Sequence, residues 1–296
     1  MKLMSKSGFV SIVGRPNSGK STLLNRVVGE KVSIVTDKPQ TTRHVVRGIV
    51  NRPEGQITFL DTPGIHKPVH RMNEQMMKSV RGAMADVDLI LLIVDASAAF
   101  GRGEEFTLEL LKPIGKKKFL LLNKIDRLEK KKLLPIMDRY SKLCDFEEIL
   151  PISALTGENV ESVISQIFKH LAEGPMFYPA DQITDQPERA IAGEMIREKL
   201  IVFTEEEMPY ATAVVIDRFE EDEKIYRIFA SIFVERDSQK PIVIGKGGQK
   251  LKEIGTEARK ELESFFGRKV FLELHVKVKK GWRDNEETLR SLGLGE

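Results

Sequence analysis

Cysteine is almost absent from this chain. Cys144 stands alone, so neither an intrachain disulfide nor a cysteine metal cluster can form, which agrees with a reducing compartment. Long apolar runs are missing too, and none approaches the roughly 18 residues of a membrane-crossing helix. The stretch Met1 to Gly8 carries two lysines and leads into a short strand rather than a signal-type apolar segment. A cytoplasmic protein is the expectation. The five histidines are scattered; His66 and His70 stand four apart, but Pro68 between them works against a helical metal pair. With 41% apolar and 31% charged residues, the composition excludes disordered and fibrous classes, and 296 residues allow two domains, each with its own core.

Net charge is also small, +3, but it hides an asymmetry. From Glu188 to Glu235 there are 6 Lys/Arg against 12 Asp/Glu, and from Arg236 to Arg283 there are 13 against 6. The second block has the footprint of a polyanion-binding surface.

What is present begins with Gly14-Arg15-Pro16-Asn17-Ser18-Gly19-Lys20-Ser21, which fits G-x-x-x-x-G-K-[ST] and follows the apolar run Phe9 to Val13. Between a buried strand and a helix starting near Lys20, such a loop points backbone N–H groups inward, and the helix N-terminus adds positive dipole. A di- or triphosphate fits there. Lys20 is expected on the β/γ-phosphates and the Ser21 hydroxyl on Mg²⁺; Gly14, Asn17, Ser18, Gly19 and Thr22 complete the candidate cradle. Ser21 to Val28 has helical spacing, with Gly29 as its stop.

A polar segment from Asp37 to Arg43 contains Thr41 and Thr42. A threonine in a mobile loop can give its hydroxyl to Mg²⁺ and its N–H to a γ-phosphate. Sequence does not separate the two, although Thr42 is preferred. The strand Gln56 to Leu60 runs into Asp61-Thr62-Pro63-Gly64, where Asp61 can hold a Mg²⁺-bound water and Gly64 can approach the γ-phosphate. The next residue is Ile65, where many GTPases carry a water-orienting glutamine, so slow intrinsic hydrolysis is expected. Leu89 to Asp95 and Phe119 to Leu122 read as buried parallel strands. The second ends in Asn123-Lys124-Ile125-Asp126. The Asp126 carboxylate can accept from N1–H and the 2-amino group of guanine, a pair that adenine does not offer. Asn123 would tie the base loop together and the Lys124 stem would lie along the purine. After the strand Ile149 to Ile152 comes Ser153-Ala154-Leu155, with the Ala154 N–H as a donor to guanine O6.

GRPNSGKS, Thr41-Thr42, DTPG, NKID and SAL, in that order, resemble the nucleotide-binding motifs of translation-factor-type GTPases. That resemblance implies a P-loop NTPase G domain, α/β with a mostly parallel sheet. Asn17 matches the potassium-dependent members, which implies K⁺ near the phosphates beside the metal-binding set Ser21, Thr42 and Asp61.

Gly174 to Pro179 breaks the chain, giving a G domain over 1–174, a linker over 175–186 and a second domain over 187–296. In the second domain Glu188 to Phe203 is helical, Ala211 to Phe219 and Ile225 to Glu235 read as a hairpin, Gln249 to Phe266 is helical, and Val270 to Val278 alternates as a strand. With a short helix before Gly245-Lys246-Gly247-Gly248, the order is α-β-β-α-α-β. G-x-x-G with an internal lysine is the loop by which KH domains clamp single-stranded nucleic acid. The candidate RNA face is Gly245, Lys246, Gly247 and Gly248 with Lys250, Lys252, Ile242 and Ile244.

A GTPase followed by an α+β type II KH domain resembles the Era family over nearly the whole chain, particularly at Ile183-Thr184-Asp185, Ile196-Arg197-Glu198-Lys199, Val243-Ile244-Gly245, Lys252-Glu253-Ile254-Gly255 and Lys277 to Trp282. The resemblance implies binding near the 3′ end of small-subunit rRNA, a part in assembling that 30S-type subunit, and peripheral contact with the inner face of the cell membrane. A monomer is expected. One departure is His275 in the closing strand, where relatives commonly carry tryptophan; a core or surface role is expected for it. The alternative is a signalling or scaffold GTPase whose C-terminal domain binds protein or membrane.

Overall fold

A computed structural model describes residues 5–294, so the first four residues of the N-terminal stretch and the last two of the chain lie outside it. The chain divides into two compact units. One takes in the residues through Ser33, Thr42–Lys67 and Met76–Asp185; the other takes in Ile34–Thr41, Pro68–Gln75 and the residues from Gln186 on.

In the first unit the order is β1 (Lys6–Val13), α1 (Lys20–Val28), β2 (Val46–Arg52), β3 (Gly55–Asp61), α2 (Arg71–Ala85), β4 (Leu89–Asp95), α3 (Arg102–Leu111), β5 (Lys117–Asn123), α4 (Leu133–Ser141), β6 (Glu148–Pro151) and α5 (Val160–His170). Residues 71–75 of α2 group with the other unit. The sheet runs β2-β3-β1-β4-β5-β6, parallel except for β2, which pairs antiparallel with β3. Unbroken apolar runs suit strands covered on both faces. Ile90 to Ile93 and Phe119 to Leu122 are accordingly buried, with α1 and α5 packed on one face and α2, α3 and α4 on the other. Chain order reverses at β1: β3 lies on one side of it and β4 on the other. In an open α/β sheet the crevice at such a reversal, beyond the carboxyl ends of the strands, is where ligands bind.

Two features depart from sequence expectation. Apolar spacing does not mark β2, whose sequence VRGIVNR lacks alternation; pairing with β3 and an Ile49 N–H donated to Ile183 O at 2.8 Å hold it. The stretch read as a linker packs on the first unit. The Phe177 and Tyr178 N–H groups donate to Gln56 Oε1 at 2.8 and 3.0 Å, and Asn51 Nδ2 donates to Ala180 O at 2.9 Å.

The second unit contains α6 (Glu188–Val202), α7 (Met208–Ala211), β7 (Ala213–Glu221), β8 (Ile225–Val234), α8 (Lys240–Ile244), α9 (Gln249–Phe266), β9 (Lys269–Val278) and α10 (Glu286–Ser291). Its sheet is β7-β8-β9, with β7/β8 antiparallel and β8/β9 parallel. The order is the one expected of a type II KH domain, and the short helix before Gly245 is α8. Ala211, expected to open a strand, instead ends α7, and the strand starts at Ala213. Alternate residues Ile228, Ala230 and Ile232 of β8 and Val270 and Val276 of β9 are buried in cores shared with α6 and α9. His275 is on the opposite, exposed face, with Nε2 2.7 Å from Glu273 Oε1. Trp282 is fully buried and donates from Nε1 to Ala211 O at 3.1 Å.

Candidate nucleotide site and nucleic-acid interface

The loop Gly14 to Ser21 leaves the carboxyl end of β1 and enters α1. Gly19 has φ 101°, and a Cβ there would stand 2.2 Å from Asn123 Nδ2, so the loop can close on the base-binding strand only with glycine at this position. Asn17 also takes a left-handed conformation, φ 62°, which asparagine tolerates better than most residues. Lys20 is 5% exposed, and its Nζ donates to Arg15 O at 2.9 Å and Gly14 O at 3.3 Å. Burial lowers its pKa to about 8, partly opposed by the charge of Asp61.

Three hydroxyls gather around Asp61. Ser21 Oγ donates to Asp61 Oδ2 at 2.6 Å, Ser33 Oγ donates to the same oxygen at 2.9 Å, and Ser21 Oγ shares a hydrogen bond of 2.9 Å with Thr42 Oγ1. Asp61 is fully buried, and its Oδ1 has no hydrogen-bond partner. Burial pushes its pKa up, opposed by Lys20 and by the Ser21 and Ser33 hydroxyls. A buried carboxylate with one oxygen lacking any donor and the other held by two hydroxyls, one of them bonded to Thr42, fits a hard divalent cation such as Mg²⁺. Thr42 belongs to this cluster and Thr41 does not: Thr41 Oγ1 bonds Thr36 Oγ1 at 2.6 Å and Lys38 O at 2.7 Å. Gly64 packs against the loop, where a Cβ would fall 2.7 Å from Pro16. Ile65 is 2% exposed, its side chain in the core and its N–H donated to Gly14 O at 2.9 Å.

At the base-binding end, Asn123 Nδ2 donates to Ser18 O at 2.8 Å and its Oδ1 accepts the Ala154 N–H at 2.9 Å. One side chain thus joins the phosphate loop to the Ser153-Ala154-Leu155 turn. The Ala154 amide, read from sequence as a donor to guanine O6, is engaged here by Asn123. Asp126 Oδ1 accepts from Ser153 Oγ at 2.6 Å. Lys124 Nζ donates to Asn17 O at 2.7 Å and to Asp95 Oδ2 at 2.6 Å. Leu155 is exposed. Thr22 lies in the first turn of α1. Sequence reading missed Ser33 and Asp95. Asp95 was findable, because it ends a buried strand at the ligand edge as Asp61 does; Ser33 sits in no motif.

In the second unit, Gly245 to Gly248 joins α8 to α9, with φ of 75° at Gly245, 60° at Gly247 and 80° at Gly248. At Gly247 and Gly248 a Cβ would meet nothing within 4 Å, so their open face is accessible to a bulky ligand. Val243 of α8 is buried, Ile242 is 42% exposed and Ile244 packs partly on the core. Lys246 and Lys252 are exposed and Lys250 is half-buried. An apolar strip, a glycine loop and three lysines therefore occupy one short stretch of chain, the combination that a single-strand clamp requires.

Residues 9–124 match the family model described as 50S ribosome-binding GTPase, and residues 207–283 match that of the KH domain. Two crystal structures are similar along their whole length. A point variant of Era from Aquifex aeolicus bound to GDP·AlF4⁻ is 43% identical, with TM-score 0.94, over 98% of this chain and 100% of that one. Era in complex with MgGDPNP and nucleotides 1506–1542 of 16S ribosomal RNA is 42% identical, with TM-score 0.95, over 99% of this chain and 100% of that one.

Proposed function

The chain belongs to the Era family, and from that premise we propose that it hydrolyses GTP to GDP and phosphate, binds the 3′ region of small-subunit ribosomal RNA, and assists assembly of that subunit. The observation that carries the enzymatic part is the run of contacts from Thr42 Oγ1 through Ser21 Oγ to Asp61 Oδ2, with Asp61 Oδ1 left without a partner. Ser21, Thr42 and Asp61 would hold Mg²⁺, which when bound neutralises charge on the β- and γ-phosphates. Lys20 and the amides of Gly14 to Ser21 bind the phosphate chain, and Asp126 selects guanine.

In the reaction a water oxygen bonds to the γ-phosphorus, the bond to the β,γ-bridging oxygen breaks with its electron pair left on GDP, and both water protons leave with the phosphate product, one of them passing on to solvent. Positioning and charge stabilisation lower the barrier. Ile65 has no polar side-chain atom to orient the water, so turnover without a partner is slow.

In the same reading the protein is cytoplasmic, touches the inner face of the cell membrane peripherally, and is a monomer; the family likeness supports these three. Asn17, through its match to potassium-dependent relatives, supports K⁺ beside the phosphates. Phosphate release by the full chain in matched K⁺ and Na⁺ buffers tests both parts. Release that needs Mg²⁺ and GTP and rises in K⁺ is expected; equal rates in the two buffers would remove potassium, and no release from GTP would remove the activity.

A further inference from the structure

The quartet Ile196-Arg197-Glu198-Lys199 has no place in nucleotide or RNA binding as described above, yet it contains two of the most buried charged residues of the chain. Arg197 is 2% exposed and Glu198 is 3% exposed. A buried charge needs partners with good geometry; Arg197 has Glu194 and Glu198 has Lys199, and each also reaches a backbone group of Ile34–Thr41, the segment that precedes Thr42. The Arg197 guanidinium donates to Glu194 through Nε at 2.8 Å and Nη2 at 2.5 Å, and Nη2 also donates to the Thr41 carbonyl. Glu198 Oε1 accepts the Val35 N–H at 2.9 Å.

Between those two anchor points the segment closes on itself. Thr36 Oγ1 bonds Thr41 Oγ1 at 2.6 Å and accepts the Lys38 N–H at 3.1 Å, while Asn73 Nδ2 donates to Gln40 Oε1 at 3.2 Å. The anchor is itself braced, because Lys199 Nζ bonds Glu198 Oε2 at 2.9 Å and pairs with Glu261 of α9. Burial disfavours the Lys199 charge, but Glu261 and Glu198 outweigh that and raise its pKa.

We propose that Arg197 and Glu198 are positioning residues for GTP hydrolysis: by holding the Thr41 carbonyl and the Val35 amide they fix the segment whose next residue, Thr42, presents its hydroxyl to Ser21. The inference rests on the reading of the site as a Mg·GTP site. GDP leaves no γ-phosphate for Thr42 to serve, so the latch bears on GTP and not on GDP.

Arg197→Met keeps the apolar stem and removes every donor; Arg197→Lys restores one. Affinities of the full chain for GDP and for a non-hydrolysable GTP analogue with Mg²⁺ are measured by fluorescent-nucleotide titration without RNA, together with kcat and KM. In Arg197→Met the GDP affinity should stay within about twofold of the parent while analogue affinity and kcat each fall about ten-fold, the scale of one lost charge-assisted hydrogen bond, with partial recovery in Arg197→Lys. A parent-like ratio of analogue to GDP affinity in Arg197→Met overturns the proposal. If that variant does not fold, Glu194→Gln, which loosens the same guanidinium at a 23% exposed carboxylate, is read by the same ratio, and no change there overturns it. Failure of the parent to bind the GTP analogue would instead sink the nucleotide reading itself.

Discussion

Asp126 and Asn123 are adjacent in function but act by different physics. Asp126 is the residue proposed to read the base, and Ser153 Oγ orients its carboxylate at 2.6 Å. Asp126→Asn replaces an acceptor by an amide that matches the 2-oxo group of xanthine better than the 2-amino group of guanine. GTP affinity should fall by about 100-fold and xanthosine triphosphate should become the better substrate, checked by competition titration. Asn123 does not need to touch the nucleotide to matter. Its two hydrogen bonds hold Ser18 and Ala154, so Asn123→Ala leaves two buried backbone groups unmatched, costing about 2 to 3 kcal/mol in the nucleotide-bound state. A loss of GDP and GTP affinity by similar factors is the expected signature, in contrast to the GTP-selective loss expected at Arg197.

At this scale the sequence was legible wherever a residue belongs to a short motif on a strand end. It left Thr41 and Thr42 open, because both are threonines of one loop. The geometry separates them through the Thr41 bond to Lys38 O, a contact local to the loop and invisible in residue type. The Ala154 amide illustrates the opposite limit: spacing gave its place but not its occupant, Asn123 Oδ1.

Among elements, α8, the Gly245 to Gly248 loop and α9 form the candidate RNA clamp. Gly247 takes φ 60° and faces open space, so Gly247→Asp combines backbone strain with a negative charge where phosphates pass. RNA affinity should drop by at least about ten-fold at fixed salt while GTP hydrolysis without RNA is unchanged, as read by filter binding beside phosphate release. Trp282 anchors the segment after β9. It is fully buried, and truncating it to alanine should cost about 3 to 5 kcal/mol, seen as a lower melting temperature of the full chain.

Periodicity found the buried strands and long helices because apolar runs and helical spacing are local signals. It missed β2, whose stability comes from pairing with β3 and from Ile183, over one hundred residues away in sequence. It also placed the start of β7 two residues early, because Met208–Ala211 is a short helix that apolar content does not distinguish from a strand.

On the scale of the molecule, five motifs in order mark the candidate guanine-nucleotide site, and the charge block with its glycine loop marks the candidate RNA face. What sequence could not show is the grouping of Ile34–Thr41 and Pro68–Gln75 with the second unit, while Thr42 groups with the first. Within that unit, side chains distant in sequence, Arg197 and Glu198 among them, hydrogen-bond Ile34–Thr41. Because the segment that ends at Thr41 continues directly into a residue of the nucleotide site, nucleotide state and RNA affinity should be linked, and linkage is reciprocal. RNA affinity should therefore differ between the GTP-analogue and GDP complexes at matched salt, and equal values would remove the linkage.

One chain thus joins a GTP site to a proposed clamp for small-subunit ribosomal RNA. Crosslinking the full-length protein, bound to Mg²⁺ and a GTP analogue, to total RNA and mapping the attached sequences tests it most directly. A discrete peak near the 3′ end of the small-subunit rRNA, lost in Gly247→Asp, is the expected result. Crosslinks spread over all RNA with no ribosomal peak would contradict it.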